Sequence, residues 1–377
     1  MTDYQIYNYI YLFVVSFFTI CAVQRYKTQL VNNLRQDNIN NNNWGYPTAV
    51  ILLIGLTLAI GLRPETGNFS DSLNYRNYYY TFYDGEPFTF DSNADNLIFD
   101  NLLAWWGSVQ LGISNFFFLM SILYFGCMFF ACKKLFPKDT LIAFLCYLGA
   151  FSTFSYSCNG FKSGVAASLF LLALSYYRKK FICCALVLIS WGFHHSMSLP
   201  IMAFIISIIY RKPKIFFIGW ILCVIIAALH ISFFQYLFAG LTSDEKALEY
   251  LTSNSDNGWE GKSGFRLDFI LYSAMPMIVG YYAIFKKKIK SKMYTLLLQL
   301  YLATNAVWVL CMYVEYNNRI AYLSWFLYPI VLIYPFVNTN WSKNRMKILS
   351  KVVTYHLLFT LFMSLFYYGG LSQLLSI

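Results

Sequence analysis

Apolar residues in this chain fall in long unbroken runs, not in alternation with polar ones. The stretch Thr48–Leu62 contains no Asp, Glu, Lys or Arg, and neither does Ile215–Phe238. Such runs cannot form the core of one soluble domain, because too little polar surface is left to cover them. They need lipid, and a helix crossing the hydrocarbon takes about 20 mostly apolar residues. The pattern predicts spans at about 5–23, 46–62, 112–132, 140–157, 160–177, 181–194, 197–210, 215–234, 268–285, 294–314, 320–337 and 352–370. The expectation is an all-α, polytopic integral membrane protein with about 12 transmembrane helices, forming a single membrane domain over residues 1–377. Two long loops, at about 63–112 and 235–268, lie on one side, and Asp91–Trp106 within the first reads as an amphipathic helix on the membrane surface.

Composition sharpens this. Hydrophobic residues make up 58% of the chain and charged residues 12%, against about 25% charged in a soluble domain. Tyr and Trp gather at run ends, as interfacial belts require. The nine cysteines lie mostly inside apolar runs without a CxxC pair, so they read as small packing residues. The first run has no basic stretch before it and no small-residue cleavage site after it, so it is expected to be a span and not a leader.

The net charge of +11 would suggest nucleic acid on a soluble protein. Here the distribution argues for orientation instead, and no nucleic-acid partner is expected. Alternate loops carry Arg25, Lys27 and Arg35; Lys133, Lys134 and Lys138; Arg178, Lys179 and Lys180; Arg211, Lys212 and Lys214; Lys286, Lys287, Lys288, Lys290 and Lys292; and Lys343, Arg345, Lys347 and Lys351. These are 21 of the 28 basic residues, and the map puts all six loops on one side. By the positive-inside rule that side is cytoplasmic, so both termini are expected outside. Of the acidic residues, only Asp37 and Asp139 fall inside. The cations Arg63, Arg76, Lys162, Lys246, Lys262, Arg266 and Arg319 sit outside, against the trend.

Candidate chemistry concentrates at those outer ends. Away from their ends the spans contain almost no His, Asp, Glu, Lys or Arg, His230 and His356 being the exceptions, whereas ion-coupled transporters keep carboxylates near mid-membrane. Arg63 stands where the second span leaves the membrane, with Asp71 and Tyr75 following at i, i+4. Asn159, Lys162 and Ala166 share a face at the start of the fifth span, beside a small-residue stripe of Gly160, Gly164 and Ser168. Phe193-His194-His195-Ser196 forms a tight turn. Adjacent histidines point apart, which argues against a metal, and each suits a phosphate or a proton. Arg319 and Asn318 open a late span, where an arginine either pairs with Glu315 or binds an anion at the helix start. Arg266 is a further outer cation.

These clusters, in this order, resemble the EpsG family of exopolysaccharide proteins, related in role to Wzy-type polymerases. The matching positions are Gly61/Arg63, Gly67, Asp71 and Tyr75; Asn159 and Lys162; Phe193, His194 and Ser196; Arg319 and Tyr322. Lys162 stands where the family often has arginine, and Gly67 and Asp71 are more widely spaced than its usual G-T-D. The resemblance implies an architecture similar to the integral-membrane (GT-C-like) glycosyltransferases in a bacterial inner membrane. It also implies polymerisation of polyprenyl-diphosphate-linked oligosaccharide repeat units for capsule, exopolysaccharide or O-antigen at the outer face. Flippase and chain-length regulator proteins are the expected partners, besides membrane lipid.

In that scheme a sugar hydroxyl attacks the anomeric carbon of the growing chain, and the polyprenyl diphosphate departs. Arg63, Lys162, Arg319 and Arg266 are the cations expected to stabilise the leaving group. Asp71 and then His194 are the expected proton acceptors. Tyr75, Asn159, His195, Ser196 and Tyr322 are expected to contact the sugar or diphosphate. No cofactor or metal is required. A glycan ligase of similar topology and a flippase of the lipid-linked unit are the competing readings. A flippase predicts a charged central cavity and repeated halves, and the sequence has neither.

Overall fold

The computed structural model describes residues 2–33, 45–65, 67–231, 233, 264–314, 317–339 and 344–367, with the side chains of 26–33 excepted. Among these there is helix and no strand. Six helical stretches are long and apolar enough to cross a membrane: Asp3–Arg25, Ile113–Leu135, Leu267–Lys286, Lys292–Leu310, Asn317–Asn338 and Arg345–Phe366. Five shorter apolar helical stretches accompany them, at Gly45–Gly61, Phe161–Ser175, Lys180–Phe193, His195–Ile209 and Pro213–Ala228. Large apolar side chains such as Ile51, Phe181, Leu188, Ile209 and Leu271 face outward. Outward-facing apolar helices of this kind are stable only in lipid, so the chain is a polytopic membrane protein. The Asn38–Asn43 run, Lys246, Lys262, Glu315 and most of the 235–268 loop lie outside the described residues.

The chain packs as two compact units, Met1–Met197 with Phe336–Ile377, and Ser198–Pro335. In the first unit, α1 (Asp3–Asn33) and α2 (Gly45–Gly61) are followed by two polar-faced helices, α3 (Ser70–Phe82) and α4 (Leu97–Ser108). Then come α5 (Ile113–Leu135), α6 (Thr140–Leu148), α7 (Thr153–Cys158), α8 (Phe161–Ser175) and α9 (Lys180–Phe193). At 23 residues, α5 is about 35 Å long, enough to cross the hydrocarbon. It packs along both α2 and α8, and α9 packs on α8. Gly164 makes the start of α8 possible, since a β-carbon there would collide with the Tyr156 carbonyl and press on the Tyr124 ring. The small-residue stripe thus serves close packing, and the Ser190 hydroxyl donates to the Ala166 carbonyl at 2.6 Å to tie α9 to α8.

The span expected at 140–157 is a broken one. It stops at Leu148 and restarts at Thr153, which frees carbonyls inside the protein. Neighbouring side chains meet them. Tyr11 on α1 donates to the Leu148 carbonyl at 2.7 Å, and Thr153 to that of Tyr147 at 2.6 Å. From the terminal helix α16 (Arg345–Phe362), His356 Nε2 lies 2.9 Å from the Cys146 carbonyl, and Thr360 donates to Gly149 at 2.7 Å. Non-helical backbone at membrane depth survives only when its polar groups are met in this way. His356 therefore has a structural task at the break.

The ends of the first unit sort as the charge pattern predicts. Lys133 donates to the Tyr46 hydroxyl at 2.8 Å, and Lys134 lies 4.0 Å from the Tyr176 ring centre. The start of α2 and the ends of α5 and α8 therefore share one end. Arg63, Lys162 and the histidine turn belong to the other.

The second unit contains α10 (Ser198–Ile209), α11 (Pro213–Ala228), α12 (Leu267–Tyr281), α13 (Lys292–Leu310), α14 (Asn317–Trp325) and most of α15 (Tyr328–Asn338). Its centre is a closed network of uncharged groups around Asn305. The Asn305 amide accepts from Trp220 Nε1 at 2.8 Å and donates to the hydroxyls of Ser273 and Ser324 at 3.2 and 3.0 Å. Trp325 Nε1 donates to the same Ser273 oxygen at 2.9 Å. His230 is not inside a span: α11 ends at Ala228, and His230, at φ +56°, is exposed and stacks on Tyr313 at 3.9 Å.

Candidate active site

Arg63 organises the polar end of the first unit from beneath. Two residues past α2 the chain turns, and the guanidinium folds back into the protein, leaving the residue 3% exposed. Nη1 donates to the Ile60 carbonyl at 2.9 Å; Nη2 donates to the Ser72 hydroxyl at 2.7 Å and the Cys158 carbonyl at 3.1 Å. Ser72 itself donates to the Cys158 carbonyl at 2.5 Å. The Phe117 ring centre lies 4.4 Å from the guanidinium carbon. Among the described residues no carboxylate comes within ion-pair distance of Arg63, and its Nε has no hydrogen-bond partner. Burial pushes its pKa down to about 10, which still leaves it cationic near neutrality. The residue is enclosed, so it acts as a strut that pins α2, α3 and α7 together and does not snorkel to water.

What Arg63 positions is the first turn of α3. Asp71 precedes Ser72 and is half-buried, where a carboxylate suits the helix N-terminus. Tyr75, one turn on, packs against Phe161 at 4.8 Å and Phe99 at 5.4 Å between ring centres. Over those rings sits Lys162, with Nζ 5.7 Å from the Tyr75 centre and 5.2 Å from the Phe99 centre. The same nitrogen is 4.0 Å from Asp100 Oδ1, and the lysine side chain is 17% exposed. Beside it, Asn159 Oδ1 is buried without a hydrogen-bond partner.

Asp100 and Asn96, which the sequence did not single out, form the hub at the head of α4. Asp100 Oδ2 accepts from the Asn96 backbone N–H at 2.9 Å, and Asn96 Oδ1 accepts from the His195 N–H at 3.2 Å. His195 Nδ1 lies 2.8 Å from the Asp95 carbonyl. A carbonyl can only accept, so Nδ1 carries the proton, and the neutral ring has Nε2 as its acceptor. His194 is the reverse case. Its Nδ1 accepts from the Ser196 backbone N–H at 3.2 Å, so the neutral ring carries its proton on Nε2. The available signal was the Asp95-Asn96 pair and Asp100 on the polar edge of a short helix.

The first unit thus brings Arg63, Asp71, Tyr75, Asn159, Lys162, His194, His195 and Ser196 to one end. Arg266, Arg319 and Tyr322 belong to the second unit. Arg266 is bound by both oxygens of Asp268, at 2.9 and 2.6 Å, and lies 4.1 Å from the Phe269 ring centre. Arg319 is exposed in the first turn of α14, and Tyr322, three residues on, is buried. Asn317 closes the preceding loop by donating to the carbonyls of Met312 and Val314 at 3.1 and 3.3 Å.

Fold and site together define a polytopic helical membrane protein in which, among the described residues, charged groups collect at helix ends. The EpsG family model matches residues 48–375, nearly the whole chain, and the chain belongs to the EpsG family. That family is associated with polysaccharide repeat-unit polymerases. No curated protein and no solved structure matches the chain.

Proposed function

We propose that this chain is a membrane glycosyltransferase. It polymerises polyprenyl-diphosphate-linked oligosaccharide repeat units at the outer face of a bacterial inner membrane. The full reading includes about a dozen crossings, outer termini and kinship with the GT-C-like enzymes. The observation that carries it is the chain of contacts from Lys162 through Asp100 and Asn96 to His195. These groups sit beside Tyr75 and Asp71, at the end of the first unit that lacks the basic loops.

The reaction joins two lipid-linked glycans. A hydroxyl of the incoming unit bonds to the anomeric carbon of the growing chain, the bond from that carbon to the diphosphate oxygen breaks, and the diphosphate leaves with the electron pair. Lys162 is a partly exposed cation suited to the leaving charge, in a setting drier than water where such charge is worth more. Asp100 orients that ammonium. Asp71 and His195 Nε2 are the acceptors suited to the hydroxyl proton, because the Nδ1 lone pair of His194 is already used. Asn159 Oδ1 suits a substrate hydroxyl. Arg63 holds the frame, and Arg319 is an independent cation candidate with its own test.

The test is reconstitution. Purified protein in lipid should lengthen a lipid-linked repeat unit with no nucleotide sugar present. Lys162→Ala and Arg319→Ala should insert normally yet leave single units. Product whose chain length never changes, but which moves to another acceptor, would indicate a ligase instead.

A further inference from the structure

Beyond α3 the chain makes a loop, residues 83–96, before α4 begins. Between the end of α3, this loop and α4 lies a cleft of about 240 Å³, lined among others by Phe82, Tyr83, Phe88, Asp91, Asp100 and Asn101. Nothing in the scheme above uses it, except that Asp100 is shared. We propose that this cleft is a saccharide subsite, which takes an uncharged or amino sugar of the lipid-linked glycan and not its diphosphate. The inference rests on the polymerase reading for the source of that sugar.

Three observations support it. First, the lining pairs exposed aromatic rings with carboxylates. Phe82 and Phe88 are 55% and 42% exposed, while Glu86, Asp91 and Asp100 line the same space. A sugar ring presents apolar C–H faces to aromatic rings and hydroxyl donors to carboxylates. Burial, reinforced by Tyr78 and by Asp100 and Asp91, holds the Tyr83 hydroxyl well above its ordinary pKa, so it stays a donor. Second, no lysine or arginine lines the cleft, so a diphosphate would meet only like charge. Third, the cleft is built and not incidental. Asn101 Oδ1 accepts from the Asp91 N–H, and Asn101 Nδ2 donates to the Asp91 carbonyl, both at 2.8 Å. At the far end, Gly107 leaves room for the Tyr83 backbone, and its carbonyl accepts from the Gly85 N–H at 3.2 Å. Asp100 then faces the cleft on one side and Lys162 on the other, so a bound sugar lies next to the cation assigned to the leaving group.

The experiment uses full-length protein in lipid nanodiscs and two probes. One is the phosphate-free oligosaccharide released by mild acid from the cell's own lipid-linked repeat unit; the other is inorganic diphosphate. Binding is read by saturation-transfer NMR and titration. The oligosaccharide should bind the wild-type protein. Phe88→Ala should weaken it about fivefold to tenfold, as loss of one ring face predicts, and Asp91→Asn should weaken it without changing thermal stability. Diphosphate binding should not respond to either. Equal oligosaccharide binding by wild type and Phe88→Ala, or none by wild type, overturns the subsite. The polymerase reading is judged separately, by whether Lys162→Ala stops elongation. A glycan that binds through Phe88 in a protein that never elongates chains supports the subsite and removes the polymerase.

Discussion

The polar cluster around Asn305 and the one around Lys162 are built on opposite plans. The Asn305 network contains no charge, and its central donors and acceptors are met: buried Ser273, Ser324 and Trp325 and half-buried Trp220 close around the amide. Such a cluster fixes helix positions and offers nothing to a substrate. At Lys162 the charged pair of Lys162 and Asp100 is partly exposed and stretched to 4.0 Å, and Asn159 Oδ1 beside it lacks a partner. Native proteins leave few buried polar atoms unmet, and those they leave deserve a functional account. The Asn305 network closes on its own members, whereas the Lys162 site keeps partly exposed charge that a ligand can meet.

The sharpest way to break this contrast is at Lys162. Lys162→Ala should lower elongation by about a hundredfold or more, the scale seen when one stabiliser of developing charge is removed. The protein should stay inserted with an unchanged melting temperature. Lys162→Arg should keep much of the activity, because it preserves the charge. If Lys162→Ala instead unfolds the protein while elongation per folded molecule is unchanged, the site has been mistaken for architecture.

Arg63 tests the boundary between the two plans, being charged yet enclosed. Arg63→Lys keeps the charge but cannot reproduce bonds to Ile60, Ser72 and Cys158 from one nitrogen. Each hydrogen bond to a charged group that is lost costs roughly 1.5–3 kcal/mol. The expected result is a large loss of thermal stability, with activity falling in step as α3 loosens. Activity loss at full stability would show that Arg63 touches substrate.

Asn305→Leu should act on stability alone. It leaves Trp220 Nε1 without its acceptor, at a cost of about 1–3 kcal/mol, while Ser273 still accepts from Trp325 and Ser324 still donates to the Ala321 carbonyl. Elongation per folded molecule should be unchanged. His356→Phe, which strips the Cys146 carbonyl at the helix break, should cost a similar amount for one group and likewise spare the chemistry.

Hydropathy made the helices legible because lipid leaves the backbone so few choices. The break at 149–152 was not legible, since Phe151, Thr153 and Phe154 continue the apolar run. What permits the break is supplied from α1 and α16, far away in sequence. The same holds at the site. Arg63, Asp71, Tyr75 and Lys162 were visible as charge or pattern against the local trend. The burial of Arg63 was not, because it depends on Phe117 and Phe161 arriving from other helices. Asp100 was hidden because one aspartate among several on the polar side of a surface helix is ordinary, and its meaning comes from the lysine that packs against it. The opposite tautomers of His194 and His195 arise from single backbone contacts that no spacing encodes.

The smallest effect belongs to Arg266, which sequence grouped with the anion-binding cations. Both oxygens of Asp268 hold its guanidinium, and Phe269 covers one face, so its charge is already answered at the head of α12. The side chains of the pair are 13% and 32% exposed. Partly exposed pairs of this kind contribute about 1 kcal/mol or less. Arg266→Gln should therefore change elongation less than about twofold and lower stability only slightly, measured by elongation in nanodiscs and by thermal melting. Asp268→Asn releases the arginine and provides the sharper control. If freeing Arg266 raises affinity for inorganic diphosphate while Arg266→Gln leaves elongation intact, the ion pair is what keeps this cation out of the reaction. Should Arg266→Gln stop elongation outright, an ion-paired cation does chemistry here, and pairing no longer separates architectural groups from reactive ones.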